Sequence, residues 1–174
     1  GGLKWGTTFV GGIDHVAIHI FTKAAGAIPY AIVAFRGGGE MVTSLAGGNL
    51  DVALINVAEG EALFKAGKIR AIAVLDEKRI DTIKDVPTAI EQGIRNTAYT
   101  VRGFAVLKGT PEDRIAHLEK GMLEAMKHQV YQNYLSQGGM SPASVAGSAE
   151  WTRMIRQIAD ESRVALTELG ILKK

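Results

Sequence analysis

The chain has 174 residues, 20 basic against 18 acidic, for a formal net charge of +2, and 47% of it is hydrophobic. Such near-neutrality gives no bulk electrostatic case for nucleic acid, and the apolar content supports a packed core rather than disorder. The sequence contains no cysteine, which excludes disulfides, thiolate metal ligands and cysteine nucleophiles.

No apolar run reaches the roughly 18 residues that mark a membrane span. The chain opens at Gly1-Gly2 with no initiator Met. It therefore reads as a mature or trimmed product. A strand is predicted over 3–9, followed by Gly11-Gly12 and a helix in which Val16, Ala17, Ile20, Phe21 and Ala24 recur at helical spacing. Gly26 and Pro29 end that helix. "YAIVAF" (30–35) is an almost unbroken apolar run, as in a strand covered on both faces. "RGGGE" follows, then a short helix over "EMVTSLAG" closed by Gly47-Gly48. "DVALINV" (51–57) is a further buried strand, "EGEALFKAGK" a helix ending at Gly67, and "IRAIAVL" (69–75) a fourth strand. Lys65 and Lys68 suit the negative end of the helix dipole. This alternation predicts a parallel sheet with helices on its faces.

The second half differs. Residues 76–93 read as loop and short helix, and "TAYTVRGFAVLKG" (97–109) as one long strand. Thr110-Pro111-Glu112-Asp113 is a strong helix start: an N-cap hydroxyl, Pro at the first helical position, and acids in the first turn. That helix is predicted to reach His128, with a shorter one over 129–137 ended by Gly138-Gly139. Ser148 caps a last long helix running to Glu168 and closed by Gly170.

Two glycine clusters stand where a strand becomes a helix. Around Gly11, Gly12 and Asp14, a backbone without side chains lets an anion approach a helix N-terminus, and Thr7 and Thr8 add hydroxyls. Tight turning and helix capping by Asp14 explain the same residues without a ligand. Gly37, Gly38 and Gly39 can form a nest of N–H groups, and Arg36 beside them offers a fork to a carboxylate. Neither cluster has the Gly-Lys-Ser/Thr ending of a P-loop or the spaced dinucleotide fingerprint. In a parallel sheet both would lie at the carboxyl ends of the strands, where ligands collect.

His15 and His19 share a helix face at metal-pair spacing, but neither His117 nor His128 supplies an obvious third ligand. Ser44, Ser136 and Ser141 lack a nucleophile elbow. Asp51 opens a strand, as turn residues do. Arg102 lies inside an apolar run, where a charge needs a partner or a wet cleft.

Six segments then carry a resemblance: "TTFVGGIDH", "VAFRGGGE", "LAGGNLDVALINVAE", "KAGKIRAIAV", "DVPTAIEQG" and "RGFAVLKGTPEDR", in that order. Together they resemble the solute-binding proteins of tripartite tricarboxylate transporters, the Bug or TctC-like family, from about Trp5 to the C-terminus. The resemblance implies an α/β periplasmic binding protein-like fold (type II) with two lobes joined by crossing strands. Residues 3–98 would form the second lobe, and 99–174 the crossing strand with the C-terminal part of the first. The opening half of the first lobe, with its ligand-gripping loop, is expected to be missing. Weak binding, exposed apolar surface and self-association would follow from that.

The resemblance further implies a non-enzymatic protein without metal or cofactor. It would capture citrate, a dicarboxylate or a related acid in the periplasm and pass it to membrane transporter subunits, as a monomer when complete and with no role for nucleic acid. The implied ligand-facing residues are Thr7, Thr8, Phe9, Gly11, Gly12 and Asp14 in the first loop. Arg36 and Gly37–Gly39 form the second, Asn56 stands at the next strand end, and Arg102 lies on the crossing strand. Where many relatives carry Asn-Trp before that Arg-Gly, this chain has Thr100-Val101. Where they often carry Ser-Ala it has Thr8-Phe9, which would narrow the pocket. Two rivals remain: an effector-type ligand-sensing regulatory domain, and an enzyme acting on a carboxylate with His15 as base.

Overall fold

The computed structural model describes residues 2–173. The chain divides into two compact units, Gly1–Thr100 with Glu161–Lys174, and Val101–Asp160.

The first unit is built on three parallel strands in the order β2-β1-β3. They are β1 (Leu3–Thr7), β2 (Tyr30–Ala34) and β3 (Val52–Ala53). The register pairs Thr7 with Ala34 on one side of β1 and Gly6 with Ala53 on the other. Each strand runs directly into a helix: α1 (Ile13–Ala24), α2 (Gly38–Ala46) and α3 (Val57–Lys65). The core lies on the central strand. Trp5, Val16, Ala17, Ile18, Met41, Val42 and Leu50 are all buried. Trp5 also stacks at a tilt on Phe21, with ring centroids 5.8 Å apart.

Gly6 is the tightest point of this core. A Cβ there would lie 2.6 Å from Met41 Cγ, 2.7 Å from its Sδ and 2.8 Å from Leu50 Cδ1. Only a residue without a side chain lets α2 seat so closely on β1. Gly26, at φ +97°, ends α1 in the left-handed region that favours glycine.

Several expectations change. β2 is half-exposed rather than covered on both faces, because it is an edge strand. β3 keeps only two paired residues before the chain turns into α3. Residues 69–75 form no strand. They are held by isolated bonds, Val74 N–H to the Pro87 carbonyl (2.9 Å) and Ala89 N–H to the Val74 carbonyl (2.8 Å). The fourth strand therefore fails for want of a ladder, not of β-forming residues.

The second unit is helical. It contains α4 (Glu112–Met126), α5 (Gln129–Gln137) and the first part of α6 (Ser148–Glu168). The last part of α6 belongs to the first unit. Pro111 is the N-cap of α4, one residue later than the expected Thr110, and the Thr110 hydroxyl donates backwards to the Leu107 carbonyl (2.8 Å). The Glu119 carboxylate accepts from both the backbone N–H (2.6 Å) and the hydroxyl (2.9 Å) of Ser148, fixing the start of α6. These two bonds lower the pKa of Glu119.

The predicted strand over 97–109 is absent. Residues 101–107 have no regular structure; Phe104 and Leu107 are 67% and 86% exposed. No ladder forms beside them among the described residues. Gly103 instead lies against the Trp151 ring.

Candidate functional site

The strand order places the site. The chain passes from β1 to β2 on one side and then crosses to β3 on the other, so the connections diverge around β1. At such a switch point the carboxyl ends of the strands leave a crevice, with the following helix N-termini aimed at it. Thr8–Gly12 leaves the central strand, Phe35–Gly37 leaves its neighbour, and Leu54–Asn56 leaves the other flank. A backbone bond from Phe35 N–H to the Thr7 carbonyl (2.9 Å) extends the pairing to the rim.

The first loop is held from within. Thr7 is fully buried, and its hydroxyl donates to the Phe9 carbonyl (3.2 Å). Asp14 sits in the first turn of α1 and accepts from the Thr8 hydroxyl (2.7 Å) and, at 3.4 Å, from the Thr8 N–H. Phe9 is 70% exposed. Gly11 adopts φ +82°, a left-handed conformation that suits glycine. Its N–H donates to His15 Nδ1 (3.0 Å), and Gly12 N–H donates to the Phe9 carbonyl (3.0 Å).

The other loops repeat one device. Glu40, in the first turn of α2, accepts from Arg36 N–H (3.0 Å). Glu59, in the first turn of α3, accepts from the N–H of its N-cap Asn56 (2.8 Å). Such acids satisfy backbone donors at the helix entry and favour the positive end of the dipole. The Glu59 carboxylate also lies against Gly38, since a Cβ there would come within 2.6 Å of Oε1. The starts of α2 and α3 therefore touch, and Gly38 is needed for that approach.

Not every donor is used. The N–H groups of Ile13, Asp14 and His15, and those of Gly37, Gly38 and Gly39, find no acceptor among the described residues. The Arg36 guanidinium is exposed and makes no hydrogen bond or ion pair among the described residues. The rim thus offers free N–H groups, one unpaired cation and an exposed apolar ring, interleaved with three carboxylates. That combination can grip an anion through its oxygens while keeping its position narrow. Arg102 lies in the second unit, exposed and outside any strand.

The structure thus brings Thr7, Thr8, Phe9, Gly11, Gly12, Asp14, Arg36, Gly37, Gly38, Gly39 and Asn56 to one edge of one sheet. Glu40 and Glu59 join them unanticipated. An acid at the third helical position was visible in the sequence, but its partner N–H was not. His15 also takes a new part. Because a backbone N–H can only donate, His15 Nδ1 must be unprotonated when it accepts from Gly11. Burial, and then the neighbouring His19, lower the His15 pKa from its ordinary 6.5.

His19 does not pair with His15 toward a metal. Its Nδ1 meets the Tyr30 hydroxyl (3.1 Å) and its Nε2 meets Glu168 (2.9 Å), which Lys23 also contacts at 2.7 Å. Bonds from Lys23 and His19 hold the Glu168 carboxyl below its usual range. Among the described residues no cluster of three His, Asp or Glu is placed to hold a metal ion. No described helix is long and apolar enough to cross a membrane.

A family model described as the tripartite tricarboxylate transporter family receptor matches residues 1–171. A UPF0065 protein of Bordetella pertussis is 24% identical over 172 residues, 98% of this chain and 53% of its own length. A TctC solute binding protein from Polaromonas superposes with a TM-score of 0.75 at 27% identity, covering 97% of this chain and 58% of that one. A protein of R. palustris solved with adipate gives a TM-score of 0.71 at 22% identity, over 97% of this chain and 56% of its own, a likeness of fold. The chain spans about half the length of the curated relative it matches along nearly its whole length.

Proposed function

The chain belongs to the tripartite tricarboxylate transporter receptor family, and from that premise we propose that it serves in the non-catalytic capture of a small organic carboxylate. One observation carries the reading: three helix N-termini stand at one carboxyl edge of a parallel sheet, with free N–H groups at the starts of α1 and α2. Aligned donors of this kind favour negative charge and need no metal. The adipate of the R. palustris protein is a ligand of the same chemical class.

In this reading the N–H groups of the α1 and α2 starts receive a carboxylate, Asn56 adds a side-chain donor, Thr8 lines the loop with its hydroxyl committed to Asp14, and Arg36 meets a second carboxylate. Phe9 packs on the carbon chain. Thr7 and Asp14 act through the loop they hold, and Gly11, Gly12 and Gly37–Gly39 keep the backbone approachable. Residues 3–98 serve as one lobe and 99–174 as part of the other. Lobe closure over the acid would create the form that a membrane transporter recognises in the periplasm. The ligand class is a di- or tricarboxylate.

Calorimetry of the protein at neutral pH against citrate, succinate, adipate, tartrate and glutamate tests this reading. Saturable binding of at least one, weakened by Arg36→Ala, is expected. No heat and no thermal shift with any of them would sink the proposal.

A further inference from the structure

The β1–α1 loop is fastened by a group that can change its own donor character. His15 is 6% exposed and stands one helical turn beyond Gly11. Its Nδ1 is the acceptor for the Gly11 N–H at 3.0 Å, and Gly11 is the loop residue in the left-handed conformation. Asp14 holds the other end of the same loop through Thr8. The loop therefore has two fastenings. One is a carboxylate on Thr8 and the other an imidazole on Gly11.

We propose that His15 is a positioning residue that latches the first glycine loop in its anion-receiving shape while neutral, and releases it when protonated. The step is simple in its balance. One proton from solvent binds Nδ1, its lone pair is consumed, and the Gly11 N–H then faces another N–H instead of an acceptor. Two donors cannot share the gap, so the loop must move.

Protonation would also add a positive charge near the site, which by itself favours an anion. The latch outweighs it on the geometry, because the free N–H groups are useful only while the loop aims them. Titratable groups approach His15 on three elements. Asp14 and His19 lie on its own helix, and Tyr30 on β2 and Glu168 on α6 approach through His19, with Lys23 sharing Glu168. Thr7, on β1, is buried but does not titrate in this range. Both of these carboxylates are committed elsewhere, Asp14 to Thr8 and Glu168 to Lys23 and His19. Burial and His19 both oppose a charge on His15, so the latch holds at neutral pH and opens on acidification.

The inference rests on the proposed carboxylate capture for its consequence, but not for its detection. Two-dimensional amide NMR of the protein, from about pH 8 to about pH 5.5, reads the Gly11 amide and the His15 ring together, across the ordinary range of a histidine. The Gly11 resonance is expected to move with the His15 titration in the absence of any ligand. In His15→Gln, which keeps an oxygen acceptor and cannot titrate, it should stay still. Tartrate, whose carboxyls remain ionised over that range, is the binding probe. Its affinity should fall several-fold on acidification in the natural sequence and lose that pH step in His15→Gln.

A Gly11 amide that ignores the His15 titration would overturn the latch. So would a His15 that stays neutral down to acid unfolding, an affinity that rises on acidification, or an unchanged pH profile in His15→Gln. If tartrate and the other acids fail to bind while Gly11 still follows His15, the latch stands and the carboxylate reading falls.

Discussion

Replacing Gly6 by alanine tests the contact that sets the two glycine loops side by side. The new Cβ would meet Met41 Cγ, Met41 Sδ and Leu50 Cδ1 at 2.6–2.8 Å, well inside the 3.4 Å at which ordinary contact begins. Met41 and Leu50 are 1% and 4% exposed, so neither can swing into solvent. Overpacking of that kind costs about 1–3 kcal/mol. Met41→Ala alone removes a buried side chain and should cost about 2–5 kcal/mol. In the double variant the alanine at position 6 enters space that Met41 has left, so the two costs should not add. A coupling of about 1–3 kcal/mol is expected, and the double variant should be no less stable than Met41→Ala. Urea unfolding followed by Trp5 fluorescence, in a Trp151→Phe background, reads this transition locally. Additive costs, or a neutral Gly6→Ala, would show that α2 does not seat on β1 as described.

Two further outcomes follow from the helix entries and the titrating groups. Asp14→Ala removes the acceptor of the Thr8 hydroxyl and an acid from the first turn of α1, and should cost about 1 kcal/mol in urea unfolding; Asp14→Asn, which keeps an oxygen acceptor, should recover part of it. Stability should also decline with acid in two stages. His15 has a folded pKa below 6.5, so the unfolded chain takes up protons first and stability falls as pH drops below that value. Glu168 has a folded pKa below 4.5, so its contribution is present above that value and is lost as pH falls through the folded pKa. Urea midpoints against pH should show both declines, with the lower one smaller in Glu168→Gln, since Glu91, Glu119 and Glu150 also have lowered pKa values.

The sequence displayed the three strand-to-helix passages because each combines an apolar run, a glycine or Asn break and an amphipathic helix. Helix α5 over 129–137 and the end of α6 at Glu168 were likewise visible, since glycine punctuates both. The runs at 69–75 and 97–109 carry the same apolar signal as β1, yet neither is a strand in this structure. A strand is defined by a neighbour's N–H and C=O groups, and local composition cannot announce that neighbour. The gathering of the two glycine loops followed from the βα alternation alone. What stayed hidden was the wiring: Glu59 against Gly38, and Gly11 on His15, are contacts fixed by backbone course. His15 read as a metal or catalytic candidate because spacing shows which residues share a face, not which backbone donor that face meets.

The most direct measurement is an amide NMR titration of the protein with a dicarboxylate such as succinate at neutral pH. Shifts concentrated on Ile13, Asp14, Gly37, Gly38, Gly39 and Asn56, saturating together, are expected if the three helix entries grip one anion. No saturable shift, or shifts confined to α4 and α5, would contradict the proposed capture at this sheet edge.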